Sequence, residues 1–225
     1  MEEFFSQIEP LTLNVMGAGA LLAASFTSLF SVVNPVAALP VFLTVTEHHD
    51  LSERSGIARK ASISMFFVLL TFLLAGTYIL SFFGISLSGI KIAGGLVILR
   101  AGFSMLNPEK GGRKLTDEDQ TAAQELDDPS FSPLAMPLLS GPGSIAVVIG
   151  FGAQAQGIFD YVVSGVSVFI VCMLTYVLLR LSPRIVKFIG KSGMTVMTRM
   201  MGFIALTIGV QFIINGIGFV YGLIN

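Results

Sequence analysis

At 225 residues, with 53% hydrophobic and 12% charged side chains and a formal net charge of -1, the chain carries about half the charge of an ordinary soluble domain. A mean hydropathy of +0.82, with several apolar runs of the ~20 residues that a ~30 Å hydrocarbon core demands, excludes a soluble globular fold. With no basic excess to neutralise phosphates, a nucleic-acid partner is excluded too.

The opening MEEFFSQIEP places glutamates where a signal peptide carries positive charge, so no leader is expected to be removed. Leu11 to Thr46 is then apolar for 36 residues. As a straight helix it would measure ~54 Å, too long for one span, and Asn34-Pro35 and Pro40 interrupt it. Proline lacks the amide hydrogen and clashes with the preceding turn, at a cost of ~3 kcal/mol in a helix interior. Ala61 to Phe83 is predicted as the second span and Ile85 to Leu106 as the third. Residues 107–130, NPEKGGRKLTDEDQTAAQELDDPS, turn abruptly polar and read as a cytoplasmic linker. The fourth span, Pro133 to Ala155, is broken at Gly141-Pro142-Gly143; Ile158 to Leu181 makes the fifth and Val196 to Leu223 the sixth.

Pro35 and Pro142 lie 107 residues apart, and the same offset carries Gly95, Leu99 and Gly102 onto Gly202, Leu206 and Gly209. Phe82-Phe83-Gly84 matches Phe188-Ile189-Gly190 at offset 106. The predicted fold is therefore all-α: a polytopic membrane protein of six transmembrane helices, built as repeats 1–106 and 131–225. Eleven of the thirteen basic residues lie in or beside the connections after spans one, three and five. Basic loops stay cytoplasmic, so both termini are predicted outside a cell (inner or plasma) membrane. Three spans per copy invert the second copy relative to the first, the arrangement of many secondary transporters.

A break in the first and fourth spans is a site hypothesis, because backbone freed from a helix in lipid survives only against protein or a watery cavity. A restarted helix offers unpartnered amides and a partial positive charge to a carboxylate. Asn34 can cap the helix begun by Pro35, while Gly141 and Gly143, flanking Pro142, let a small ligand touch backbone. Ser28, Ser31, Ser140 and Ser144 add hydroxyls. Arg100, in mid-helix, either supplies charge near an anionic substrate group or snorkels to the cytoplasmic headgroups. Lys91 reads as an interfacial anchor. Two proline kinks that only tune packing are the plainer alternative.

No acidic residue sits at mid-membrane to carry a proton, apart from Asp160 at an outer helix end. Sodium held by carbonyls would leave no mark, so the coupling ion stays open and no cofactor is expected. His48-His49-Asp50 lacks further ligands at metal spacing, so no metal is expected. No Ser/His pair lies within the spans, which leaves a hydrolase without its base. Cys172, alone in an apolar run, reads as a small buried side chain.

LFSVVNPVAALPVFLTVT before the linker and SPLAMPLLSGPGSIAVVI after it resemble the paired signatures of the MarC family of bacterial and archaeal integral membrane proteins, and the similarity spans essentially the whole chain. That family is named from a multiple-antibiotic-resistance locus and is similar in general form to amino-acid exporters; some members are described as small neutral amino-acid transporters. The resemblance implies that Asn34, Pro35, Gly141, Pro142 and Gly143 lie at helix discontinuities where substrate sits. The expected function is secondary transport or export of glycine, alanine or serine, with no enzyme activity. The partners would be a small zwitterionic solute and the bilayer, and a homo-oligomer is compatible with the chain. The alternatives are a membrane-embedded binding or assembly protein without transport, and efflux of other small solutes.

Overall fold

The structure is a computed structural model that describes residues 2–106 and 130–222, among which every regular element is helical. The helices are α1 (Glu2–Val33), α2 (Pro35–Val45), α3 (Leu51–Phe82), α4 (Leu87–Leu106), α5 (Ser130–Leu139, wound as a π-helix) and α6 (Pro142–Gln154). A last run, Ile158–Val220, is broken at Gly190 (φ 71°, ψ 172°) into α7 (Ile158–Gly190) and α8 (Ser192–Val220).

Among the described residues, five stretches are long and apolar enough to cross a membrane: Gly17–Val45, which runs through the α1–α2 junction, and α3, α4, α7 and α8. Six spans were expected. The fourth is instead made of two short pieces, α5 with 10 residues and α6 with 13. Even α6 is only ~20 Å long, short of a ~30 Å core. The predicted polar linker lies outside the described residues except for Ser130, which opens α5.

Two of the boundaries that differ from the sequence reading do so for identifiable reasons. α3 begins ten residues before Ala61, at Leu51, because Asp50 and Glu53 form a capping box. Glu53 N–H donates to Asp50 Oδ1 at 2.7 Å, and Asp50 N–H donates to Glu53 Oε2 at 3.0 Å. Arg54 ties down the preceding turn, its Nε donating to the carbonyls of Thr46 and His49 at 2.9 Å each. The His48-His49-Asp50 stretch thus builds a turn and a cap. α7 runs past Leu181 and through Pro183, and ends where Gly190 takes a left-handed φ that L side chains rarely adopt. Gly84, φ 64°, follows α3 in the same way.

Helix starts repeat along the chain. Pro35 opens α2 and Pro142 opens α6; Leu51 opens α3 and Ile158 opens α7. Both pairs are 107 residues apart. The short helices α2 and α6 are the most deeply enclosed, with Ala38, Leu39 and Phe42 of α2 and Val147, Val148 and Ile149 of α6 all at most 2% exposed. Phe67, Phe103, Phe169 and Phe203 project from α3, α4, α7 and α8 and are more than half exposed. Large apolar side chains outside and short broken helices inside are what a lipid solvent permits.

α4 and α8 pack antiparallel on glycine, Gly95 against Gly209 and Gly102 against Gly202. A Cβ on Gly209 would sit 2.9 Å from the Gly95 carbonyl oxygen and from Leu99 N, backbone atoms that cannot step aside. Gly209→Ala should therefore cost about 1–3 kcal/mol of stability, read as a lowered thermal unfolding midpoint in detergent. Gly165→Ala, where a Cβ meets nothing within 4 Å, should leave the midpoint unchanged or slightly raised.

Candidate functional site: two helix breaks and the cavities beside them

At the first break the chain is closed upon itself. Asn34 is fully buried at 0% exposure and, among the described residues, is the one non-glycine with positive φ (φ 47°, ψ 65°). Asparagine tolerates that conformation because its short amide finds local partners. Its N–H donates to Phe30 O at 2.8 Å, its Oδ1 accepts from Ala37 N–H at 3.2 Å, and its Nδ2 contacts Met105 Sδ of α4 at 3.2 Å. Pro35, buried at the first helical position, has no N–H to satisfy. Ser31, also buried, donates to Thr27 O at 2.7 Å.

The second break is open. Ser140 donates to Ala135 O from both its N–H, at 2.8 Å, and its hydroxyl, at 2.6 Å, a wide i to i−5 turn that ends α5. Gly141 then takes extended backbone (φ -70°, ψ 174°) and supplies no capping side chain. Pro142 is the first residue of α6, so Gly143 and Ser144 carry its leading amides. The Ser144 hydroxyl reaches back to Leu139 O at 3.2 Å. Beside these residues lies a cavity of about 190 Å³, bordered by Gly141, Gly143, Ser144, Val32, Ile98 and Met105. A Cβ on Gly143 would lie 3.0 Å from Ile98 Cγ1 and 3.2 Å from Val32 Cγ1, so the residue two before the first break faces the second.

A larger cavity, about 380 Å³, occupies the same groove of α1, α4, α6 and α8 nearer the α6–α7 connection. Ser25, Ser28, Lys91, Asp160, Ser164 and Asn215 give it a polar lining. Gly94 of α4 lies directly against Ala146 of α6 between the two cavities. A third, apolar groove of about 430 Å³ runs between α3 and α7 past Arg59, Phe66, Phe169 and Tyr176, with buried Cys172 in its wall.

The predicted residues thus divide. Gly141, Pro142, Gly143 and Ser144 line the smaller, inner cavity and Ser28 the outer cavity of about 380 Å³; Ser31, Asn34 and Pro35 line none of the three, Asn34 reaching the inner wall through Met105. Arg100 is exposed and borders none of the three cavities. Lys91, read as an anchor, is instead 4% exposed in the outer cavity, its Nζ 3.9 Å from the centroid of the Phe219 ring. The signal was present. At ~100° per residue, nine positions turn a helix by ~900°, which sets Lys91 and Arg100 on opposite faces. Lys91 falls within about 40° of Gly95 and Gly102, the stripe that packs inward.

Several long apolar helices around two short buried ones define a multi-pass α-helical membrane protein. The MarC family of integral membrane proteins matches residues 19–221, and the chain belongs to that family. It is 40% identical over 193 residues to the UPF0056 membrane protein MJ1677 of Methanocaldococcus jannaschii, covering 86% of this chain and 94% of that relative. Identity to YvbG of Bacillus subtilis is 36% over 193 residues, 85% of this chain and 92% of the relative. To YhcE of Escherichia coli it is 32% over 204 residues, 89% and 94% respectively. No solved structure matches the chain.

Asn34→Ala should lose both the cap and the tolerance for left-handed backbone, lowering stability by about 2–3 kcal/mol. Asn34→Gly keeps the conformation and should recover most of the loss. Thermal unfolding of the two variants in one detergent checks the order.

Proposed function

We propose that the protein is a secondary transporter, working as an exporter of small neutral amino acids such as glycine, alanine and serine, with two inverted three-helix repeats that give alternating access to a site at the helix breaks. One observation carries this reading: an uncapped helix start, Gly141 to Ser144, opens on a small cavity that also touches Val32 beside the other break. Free amides at a helix N-terminus receive a carboxylate without any cationic side chain. The absence of side chains at Gly141 and Gly143 favours a small solute. α2, with 11 residues, and α6, with 13, reach ~16 Å and ~20 Å from the breaks to their far ends, which suits breaks near the middle of a ~30 Å core.

The repeat has its own support. A shift of 107 carries Gly95 onto Gly202 and Gly102 onto Gly209. The contact of Gly95 with Gly209 then becomes that of Gly202 with Gly102, which is the second contact of the same pair of helices. A two-fold relation between the halves produces such self-mapping contacts. Glu53 and Asp160, again 107 apart, each sit in the first turn of their helix. On this reading both termini lie outside, and no catalytic chemistry is assigned.

The test is uptake of radiolabelled L-alanine into proteoliposomes. Saturable flux is expected from the wild type. Gly143→Leu, whose side chain must enter the space beside Ile98 and Val32, should cut it by more than about tenfold, with gel filtration confirming an intact fold. Absent saturable flux in the wild type, or undiminished flux in a folded Gly143→Leu protein, would remove the proposal.

A further inference from the structure

We infer that the outer cavity is a receiving site for an amphoteric solute, with the Lys91 ammonium taking its carboxylate and the Asp160 carboxylate facing its ammonium. The identity of the solute rests on the transporter reading. The site itself stands on Lys91 and Asp160.

An ionised side chain in a span persists where it is paired or faces a cavity. Lys91 is 96% enclosed by the protein (4% exposed), yet among the described residues its ammonium has no carboxylate or hydrogen-bond acceptor; its neighbour is the face of Phe219. An ammonium has three donors to satisfy, and a ring face satisfies none of them as an acceptor oxygen would. The donors therefore belong to whatever enters the cavity that Lys91 lines. Asp160 borders the same space from the first turn of α7. Its Oδ2 accepts from Gln156 N–H at 2.7 Å, and among the described residues its other oxygen has no partner.

The remaining polar wall is uncharged: the hydroxyls of Ser25, Ser28 and Ser164 and the amides of Gln154, Gln211 and Asn215. One cation and one anion make the lining neutral overall, matched to a solute that is itself neutral but carries both charges. A solute lacking the acid group would leave Lys91 without a carboxylate, and sites built around a polar partner reject such analogues strongly. The outer cavity also shares α1, α4, α6 and α8 with the inner one, and Gly94 and Ala146 meet at a level between the two linings.

The test uses the full-length protein in detergent. Its thermal midpoint is read at matched ionic strength against L-alanine, propionate (acid without amine) and alaninamide (amine without acid), with alanine flux measured in parallel. Alanine and propionate should raise the wild-type midpoint and alaninamide should not. The propionate response should vanish in Lys91→Met and persist in part in Lys91→Arg. Asp160→Asn should weaken alanine binding about tenfold and leave propionate unchanged; an unchanged alanine response would strike Asp160 from the site. An equal propionate response in Lys91→Met and wild type overturns the inference. So does alaninamide acting as well as alanine on the wild type, a comparison that needs no variant. A Lys91-dependent shift from phosphatidylglycerol and not from propionate overturns it in favour of a lipid headgroup. Lost alanine flux with Lys91-dependent propionate binding intact sinks the transporter reading alone, whereas saturable flux with no Lys91 dependence sinks the receiving site alone.

Discussion

A peptide group inside a bilayer has no water to accept its N–H or donate to its carbonyl, so each interruption of a helix there must be repaired by protein or left facing a cavity. The two interruptions of this chain take those two routes. Asn34 repairs the first with one side chain, whose carbonyl caps Ala37 while its amide reaches Met105 on a different helix. At the second, Ser140 and Ser144 turn their hydroxyls backward onto the carbonyls of Ala135 and Leu139. That settles acceptors on the α5 side and does nothing for the donors that begin α6. Gly141 cannot help them, having no side chain. The unrepaired donors and the cavity are found in the same place because buried donors without a protein partner need a cavity to face.

The same constraint explains why the interior is built from short helices and the exterior from long ones. A continuous helix satisfies its own backbone and can face lipid, as α3, α4, α7 and α8 do with their exposed phenylalanines. A helix of 11 or 13 residues exposes unsatisfied ends at membrane depth and must be enclosed, and α2 and α6 are. With no hydrophobic force to press helices together in lipid, the enclosing wall relies on close backbone approach. Gly95, Gly102, Gly202 and Gly209 provide it between α4 and α8.

Much of this was legible in the sequence, and the parts that were not fail for physical reasons. Proline in an apolar run marks a break wherever it falls, so Asn34-Pro35 and Gly141-Pro142-Gly143 could be read directly. Pro183 has the same local signature, yet α7 continues through it and stops at Gly190, because in a membrane bundle neighbouring helices and side chains can satisfy the carbonyl a proline frees. The start of α3 was placed late because polar residues between Leu51 and Lys60 look like loop unless the Asp50–Glu53 capping box is weighed. Charge was judged by depth alone, which singled out Arg100. Depth says how costly a charge is, whereas the angle around the helix says where it points, and that angle puts Lys91 with the inward glycines.

For a transporter the barrier between the two cavities matters as much as the cavities. At a level between their linings Gly94 meets Ala146, backbone against a methyl group. Large interlocking side chains would have to change rotamer for α4 and α6 to slide, and a packed core resists such changes because its contacts are lost before new ones form. Neither glycine nor alanine has a χ angle to change. Movement at this one contact therefore costs only the dispersion contacts of a single methyl group, each worth about 0.1–0.2 kcal/mol per atom pair, whereas Ile98 against Gly143 of the same two helices has rotamers to change. On the transporter reading, a solute passing from Lys91 and Asp160 to the α6 amides would cross the level of that contact. The glycines of α4 and α8 bring those two helices backbone to backbone, with Ile92, Leu99, Met105, Leu206 and Ile213 closing over them, an interlocked pair suited to moving as a unit.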